Sequence, residues 1–335
     1  MTTIREAYMR ASLFLGRHGV EENKLQAELL LGYVLGMRRT ELLFRWSEPF
    51  PEEHELAWER YLARRASGEP VQYITGEQEF YGLAFHVERA VLIPRPETEL
   101  LVEQIVSVGR ELWGDGAPVT AADIGTGSGA IAVAVAVQRP AWRVHAVDLS
   151  SAALQVARGN AARHGVAERV VFHHGDLLGP LMAGQAGDAG GGSGGAGASA
   201  GAGVVADTSA SATGASVSAG AGVGGTGGLP GVELDVVVSN PPYIETKVIE
   251  ELDVQVKDFE PRLALDGGPD GLVLYRRLAE QLGSLVRPPQ LVGLEVGSGQ
   301  ARAVAMMLDR VGHWGEIRVV KDLAGIERHV VAVRR

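Results

Sequence analysis

The chain has 335 residues, 46% of them hydrophobic and 21% charged, which is enough for two domains or one large core with insertions. Its formal net charge of −10 argues against a protein that grips nucleic acid chiefly through phosphates, and the arginine pairs at 38–39, 64–65 and 276–277 read as solvated helix faces. The absence of cysteine rules out disulfides, thiolate metal sites and a cysteine nucleophile, and nothing points to an oxidising compartment.

Residues 1–70 read as a small helical domain. It opens on "MTTIREAYMR", which lacks the apolar stretch of a secretion signal. Leu25, Leu29, Leu30 and Val34 recur at helical spacing, with Gly36 as the stop. A further helix runs from Pro51, suited to a first turn, through Trp58 and Leu62 to Ser67-Gly68. Residues 71–93, "VQYITGEQEFYGLAFHVERAVLI", are rich in β-branched and aromatic residues with glycines at turn spacing, and predict a β-hairpin connector.

From residue 94 the pattern alternates. A helix opened by "PRPETELLVEQIV" precedes strand 119–124, helix 128–138, strand 143–148, helix 150–164 and strand 169–174. Strand 233–239, helix 270–286, strand 290–297, helix 299–311 and closing strands near 316–321 and 328–334 follow. Such alternation predicts an α/β domain over 94–335, with a mostly parallel sheet covered on both faces. The longest apolar runs, such as "AIAVAVAV" (130–137), fall far short of the roughly 20 residues of a membrane span, so a cytoplasmic protein without membrane contact is expected. Residues 183–231 interrupt the pattern. Made almost wholly of Gly, Ala, Ser, Thr and Val, they have too little bulky apolar surface to offset the entropy of ordering, and read as a flexible insertion.

The first strand leads into "DIGTGSG" (123–129), where Gly125, Gly127 and Gly129 allow close backbone approach to a ligand and a sharp turn into the next helix. Thr126 and Ser128 complete the turn. The third glycine comes one residue too early for the dinucleotide pattern, which disfavours a nicotinamide oxidoreductase. Asp123 ends the first strand and Asp148 the second, where a carboxylate accepts two bonds from a ribose diol. Asp176 ends the third, where it can meet an adenine amino group. Each aspartate alone is equally a turn or helix-cap residue; three at consecutive strand ends point to an adenosine-type ligand.

The fourth strand ends in "SNPPY". Residues before proline are driven toward extended conformations and proline lacks an N–H, so Asn240-Pro241-Pro242-Tyr243 is a stiff turn. In it the Asn240 side-chain oxygen and the Pro241 carbonyl stand as paired acceptors, suited to the two hydrogens of an –NH₂ group. Tyr243 offers a face or hydroxyl beside them. An amide or aromatic amine is a poor nucleophile because its lone pair is conjugated, and holding both N–H bonds aims that lone pair at an electrophile. This suits methyl transfer from S-adenosylmethionine by positioning and dipoles, with no general base. The nine histidines offer no metal cluster; His173-His174 alternate along a strand and read as ordinary.

Taken together, "DIGTGSGAIAVAVA", "VVVSNPPY", "PVQYITGEQEFYGLAFHVERAVLIPRPETELLVE" and "FEPRLALDGGPDGLVLYRRL" resemble the HemK/PrmC family of peptide chain release factor glutamine methyltransferases. The resemblance covers nearly all of the chain outside the Gly/Ala segment. It implies a class I S-adenosylmethionine-dependent methyltransferase, Rossmann-like with a seven-stranded mostly parallel sheet, and a helical N-terminal domain that docks the release factor. The implied substrate is the glutamine of a Gly-Gly-Gln loop, methylated on its side-chain amide. By position, Gly125, Thr126, Gly127, Ser128 and Gly129 would line the methionine part of the cofactor and Asp148 its ribose. Asp176 and Leu177 would flank the adenine, and Asn240 to Tyr243 would hold the glutamine. Leu177 stands where other members carry an aromatic residue. Arg95 and Glu97 belong to the matching motif; a salt bridge or a cap for the following helix is at least as open to them as substrate contact. A ribosomal-protein glutamine or the N6 amino group of adenine in nucleic acid would suit the same turn, though a target-reading domain and a basic cleft are lacking for the latter. A scaffold protein would have no use for it. A monomer is expected.

Overall fold

The computed structural model describes residues 2–182 and 231–334. The segment 183–231, read above as a flexible insertion, lies outside the described residues except for its last position.

Helix α1 (Ile4–Arg17) opens on a capping box, Thr3 Oγ1 accepting from the Glu6 amide at 3.2 Å and Glu6 Oε2 accepting from the Thr3 amide at 2.8 Å. Helix α2 (Asn23–Leu35) ends at Gly36 with φ 63°, the left-handed stop its sequence predicts. Its buried face differs from expectation: Ala27, Leu30, Leu31 and Val34 enter the core, while Leu25 and Leu29 are exposed. Leucines crowd this helix, so the period is visible but the phase is not. Helices α3 (Arg39–Phe44) and α4 (Glu55–Ala66) bury Leu42 and Trp58 in the same core. Pro51 precedes a 3₁₀ turn (Glu52–His54) rather than α4 itself. Residues 71–75, expected in the hairpin, form a short helix, α5 (Val71–Thr75), whose Val71, Tyr73 and Ile74 are buried. Their apolar character serves packing rather than strand pairing. Strands β1 (Glu77–Phe80) and β2 (Leu83–His86) then form the antiparallel hairpin.

The α/β part consists of α6 (Pro96–Trp113), β3 (Val119–Ile124), α7 (Ala130–Gln138), β4 (Trp142–Asp148), α8 (Ser151–Arg163), β5 (Val170–His174), β6 (Val236–Ser239), α9 (Val254–Lys257), α10 (Val273–Gly283), β7 (Leu291–Glu295), α11 (Ala301–Val311), β8 (Glu316–Lys321) and β9 (Glu327–Val333). The seven strands lie in the order β5-β4-β3-β6-β7-β9-β8, and only β9 runs against the others. Central strands such as β6 and β7 are buried at every position, as a sheet covered on both faces requires. The chain goes from β3 to β4 and β5 on one side and returns to β6 on the other, which opens a crevice at the carboxyl ends of β3 and β6.

Helix α6 packs on β7 at Gly293. A Cβ on Gly293 would stand 2.7 Å from Ile105 Cδ1 and 3.1 Å from Leu101 Cδ1, so any larger residue there would require those side-chain tips to shift. The contact brings the first turn of α6 over the ends of β6 and β7. Arg65, expected on a solvated face, is buried: it donates to Gln26 Oε1 at 2.5 Å, to the Glu69 carbonyl at 3.1 Å and to Gln255 Oε1 at 3.3 Å. A buried guanidinium needs partners, and these three acceptors, from α2, the loop after α4 and α9, supply one to each of its nitrogens.

Candidate active site

Gly125 (φ 73°) and Gly127 (φ 55°) both adopt left-handed backbone, and nothing lies within 4 Å of where a Cβ would stand on either. The wall they form is therefore bare backbone facing open space. The amides of Gly125 and Thr126 both donate to the Val147 carbonyl at 2.9 Å, tying the turn to the end of β4. There Asp148 Oδ2 accepts from the Gly127 amide and Oδ1 from the Ser150 amide, each at 2.8 Å. Burial raises the Asp148 pKa, and the two backbone donors pull it back. One carboxylate thus braces the turn and keeps lone pairs for a ligand.

A cavity of about 290 Å³ runs along these strand ends, walled by Gly125, Gly127, Asp148, Asp176, Leu177, Asn240 and Pro242 among others. A more open depression of about 520 Å³ adjoins it, sharing Leu263, Asp266 and Leu274. Not every residue of the turn reaches the cavity. Thr126 is buried and donates to Asp123 Oδ2 at 2.6 Å. The Ser128 carbonyl accepts from Asn160 Nδ2 at 2.9 Å, and Gly129 faces Ala157, where a Cβ would sit 3.1 Å away. These three hold the turn from behind. Asp123 is fully buried, accepts also from the Ala132 amide at 3.0 Å, and has its pKa pushed up to about 7 by that burial.

At the adenine end expected from the sequence, Asp176 Oδ2 is paired with Arg277 of α10, and Leu177 adopts φ 50°. Both side chains of the pair are half exposed at the cavity mouth. Arg277, read above as part of a solvated arginine pair, therefore belongs to the cavity wall.

Asn240 stands at the carboxyl end of β6, half-buried, its Nδ2 donating to Thr98 Oγ1 of α6 at 3.1 Å. Neither its Oδ1 nor the Pro241 carbonyl accepts a hydrogen bond among the described residues. Tyr243 does not line the cavity. Burial and the nearby Glu295 push its phenol up to about 12, so it is neutral at physiological pH. Its carbonyl accepts from Gln300 Nε2 at 2.9 Å, while the Ile244 amide donates to Leu265 at 3.0 Å and the Gly267 amide to Ile244 at 2.8 Å. The turn is pinned from both sides.

Three curated relatives match essentially end to end. The release factor glutamine methyltransferase of Moorella thermoacetica is 38% identical over 333 residues, covering 99% of each chain. That of Bacillus subtilis is 35% identical, covering 99% of this chain and 98% of its own. That of Caulobacter vibrioides is 34% identical, covering 99% and 96%. This chain belongs to the release factor glutamine methyltransferase family. Residues 6–76 match the PrmC N-terminal domain and residues 117–184 a methyltransferase domain. In fold the chain is similar to the hMettl16 catalytic domain in complex with MAT2A 3'UTR hairpin 6, at TM-score 0.50 and 11% identity over 82% of each chain.

Membership in this methyltransferase family directs attention to motif residues whose partners are distant in sequence. Arg95 Nη2 donates to Glu260 Oε2 at 2.6 Å, and the Glu260 side chain is 1% exposed. The "LIPRPETE" and "FEPRLALDGG" stretches are thus joined by a salt bridge. Glu99 Oε1 accepts from the Tyr81 amide at 2.9 Å, fastening the hairpin to α6. Among the described residues the Glu97 side chain makes no such bond; its charge raises the pKa values of Glu295 and Tyr243. Thr98, Glu260 and Arg277 lie within the motif stretches quoted above, but none of them, nor Glu295, was singled out for the site, since each acts through a partner from another element.

Proposed function

We propose that this protein transfers a methyl group from S-adenosylmethionine to the side-chain amide nitrogen of a release factor glutamine, the one in a Gly-Gly-Gln loop. The observation that carries the reading is the pair of unengaged acceptors, Asn240 Oδ1 and the Pro241 carbonyl, on a turn pinned at the end of β6 beside the cavity. Family membership supplies the substrate class.

The cavity residues fit the cofactor. Bare backbone at Gly125 and Gly127 leaves room for its methionine portion, Asp148 suits a ribose diol, and Asp176 with Leu177 would border the adenine. Thr126, Ser128 and Gly129 would support that surface from behind. When bound, S-adenosylmethionine supplies a methyl group already activated by its sulfonium. The chain's part is to hold the acceptor. Asn240 Oδ1 and the Pro241 carbonyl take the two N–H bonds of the glutamine amide, weakening its conjugation and directing the nitrogen lone pair into the cavity. Pro242 limits the freedom of the amide plane, and Tyr243, neutral, packs behind it. The nitrogen sheds a proton only after its bond to carbon has formed, when it is strongly acidic, so the site contributes acceptors rather than a base. The adjoining depression, bordered by Gly267 and Gly268, receives the loop that carries the glutamine.

Incubation of the purified protein with labelled S-adenosylmethionine and release factor, followed by mass mapping, tests this. Label confined to the Gly-Gly-Gln glutamine is expected, and none when that glutamine is replaced. Label on a ribosomal protein or duplex DNA offered in parallel, with none on the release factor, would overturn the substrate.

A further inference from the structure

Asn240 is useful to a substrate amide only if its oxygen, not its nitrogen, faces the cavity. The two ends of a carboxamide have the same shape, so something must choose between them. Thr98 cannot choose alone, because a hydroxyl both donates and accepts. Behind it lies Glu295, the last residue of β7, 1% exposed and adjacent to the end of β6 through the Ser239–Leu294 register. Thr98 and Asn240 both favour its ionised form against the cost of burial, and its Oε2 has no hydrogen-bond partner among the described residues.

We infer that Glu295 and Thr98 are positioning residues that set the direction of the Asn240 amide. An ionised Glu295 is an acceptor only. It takes the Thr98 O–H, which leaves the Thr98 oxygen able only to accept, and the Asn240 Nδ2 donates there at 3.1 Å. Each link has one polarity, and Asn240 Oδ1 is left facing the cavity. A protonated Glu295 can donate instead, the polarity reverses, and the flipped amide becomes equally stable. Facing the carboxyl are Glu97 and Thr98 from α6, Asn240 and Tyr243 after β6, Arg328 and His329 on β9, and Tyr275 of α10, whose hydroxyl donates to the Glu295 carbonyl at 2.7 Å. His329 Nε2 lies 3.9 Å from Glu295 Oε2, and burial lowers its pKa to about 4, so it supplies no charge near neutrality. Burial first, then Glu97, pushes Glu295 up to about 7, with Thr98, Arg328 and Asn240 opposing. The switch in polarity therefore falls near neutral pH.

The inference rests on the glutamine-methylating reading. It is tested by methylation of release factor at saturating cofactor across pH 5.5 to 9, with wild type, Glu295→Gln, Thr98→Val and Thr98→Ser. Wild-type kcat should rise as pH passes through about 7. Glu295→Gln should lose about tenfold in kcat and lose that limb, because a neutral carboxamide cannot enforce polarity at any pH. Thr98→Val should lose a similar factor, Thr98→Ser should restore it, and binding of S-adenosylhomocysteine should match wild type in all three, showing the fold intact. A Glu295→Gln enzyme with wild-type kcat and pH profile, or Thr98→Val as active as Thr98→Ser, would overturn the relay and leave the substrate reading standing. No transfer to release factor by wild type, with cofactor binding intact, would overturn both.

Discussion

Asp148 does two jobs with four lone-pair sites. Two are spent on the Gly127 and Ser150 amides, and the residue lines the cavity. Asp148→Asn keeps the shape but loses the charge and one acceptor. Since a hydrogen bond to a charged group is worth about 1.5–3 kcal/mol, calorimetry should show S-adenosylhomocysteine binding weakened by roughly ten- to a hundredfold. Unchanged affinity would place the ribose elsewhere. Asp148, Gly125, Gly127 and Asn240 were legible in the sequence because each stands at the end of a strand, and alternation of strands and helices locates such ends. The inward and outward sides of the glycine turn were not legible, since composition says nothing of which amide faces Val147. Arg277 was hidden for another reason: it reaches Asp176 from 101 residues away, on a helix whose arginine pair looks like any solvated pair.

Helix α6 is the element on which the site hangs. Its first turn holds Glu260 through Arg95, Asn240 through Thr98 and the hairpin through Glu99, and its Leu101 and Ile105 pack on β7 at Gly293. The Arg95–Glu260 and Thr98–Asn240 contacts span 165 and 142 residues of chain, which explains why the motif was recognisable while the role of Arg95 stayed open between salt bridge, helix cap and substrate contact. It is a salt bridge. Arg95→Ala leaves the Glu260 carboxylate buried without its cation, at a cost discounted because Arg95 is itself 34% exposed. Denaturant unfolding should show a loss of about 1–3 kcal/mol, and Glu260→Gln with Arg95 retained a smaller one. Equal stability of Arg95→Ala and wild type would mean that the bridge is ornamental. The short helix α5 and the phase of α2 escaped the sequence pattern for a shared reason: burial, not local propensity, decides both.

The whole molecule buries ionisable groups whose effects on pH stability oppose one another. Burial raises Asp123 to about 7 and Glu295 to about 7, so the folded chain holds protons that the unfolded chain has released. Each contributes stability fully present below the ordinary carboxyl range and lost as pH rises toward about 7. His145, stacked on His173 with ring nitrogens 2.9 Å apart, and His329 are both lowered to about 4 by burial. They act in the other direction, adding stability as pH rises from about 4 to about 6.5. Asp123→Asn removes one falling contribution. Its stability relative to wild type should therefore climb between about pH 4 and 7, by about 1 kcal/mol per pH unit, in paired denaturation curves. A difference that stays constant with pH would mean that Asp123 is ionised throughout. The parallel sheet itself was plain in the sequence, whereas these buried pairs form across strands that the sequence does not align.

Single-turnover transfer by Asn240→Ala tests the proposed chemistry most directly. With release factor and cofactor pre-bound, methylation of the glutamine should slow by about a hundredfold or more, while affinity for S-adenosylhomocysteine changes little. Transfer within about twofold of wild type would contradict the proposal that the Asn240 oxygen holds the substrate amide for reaction.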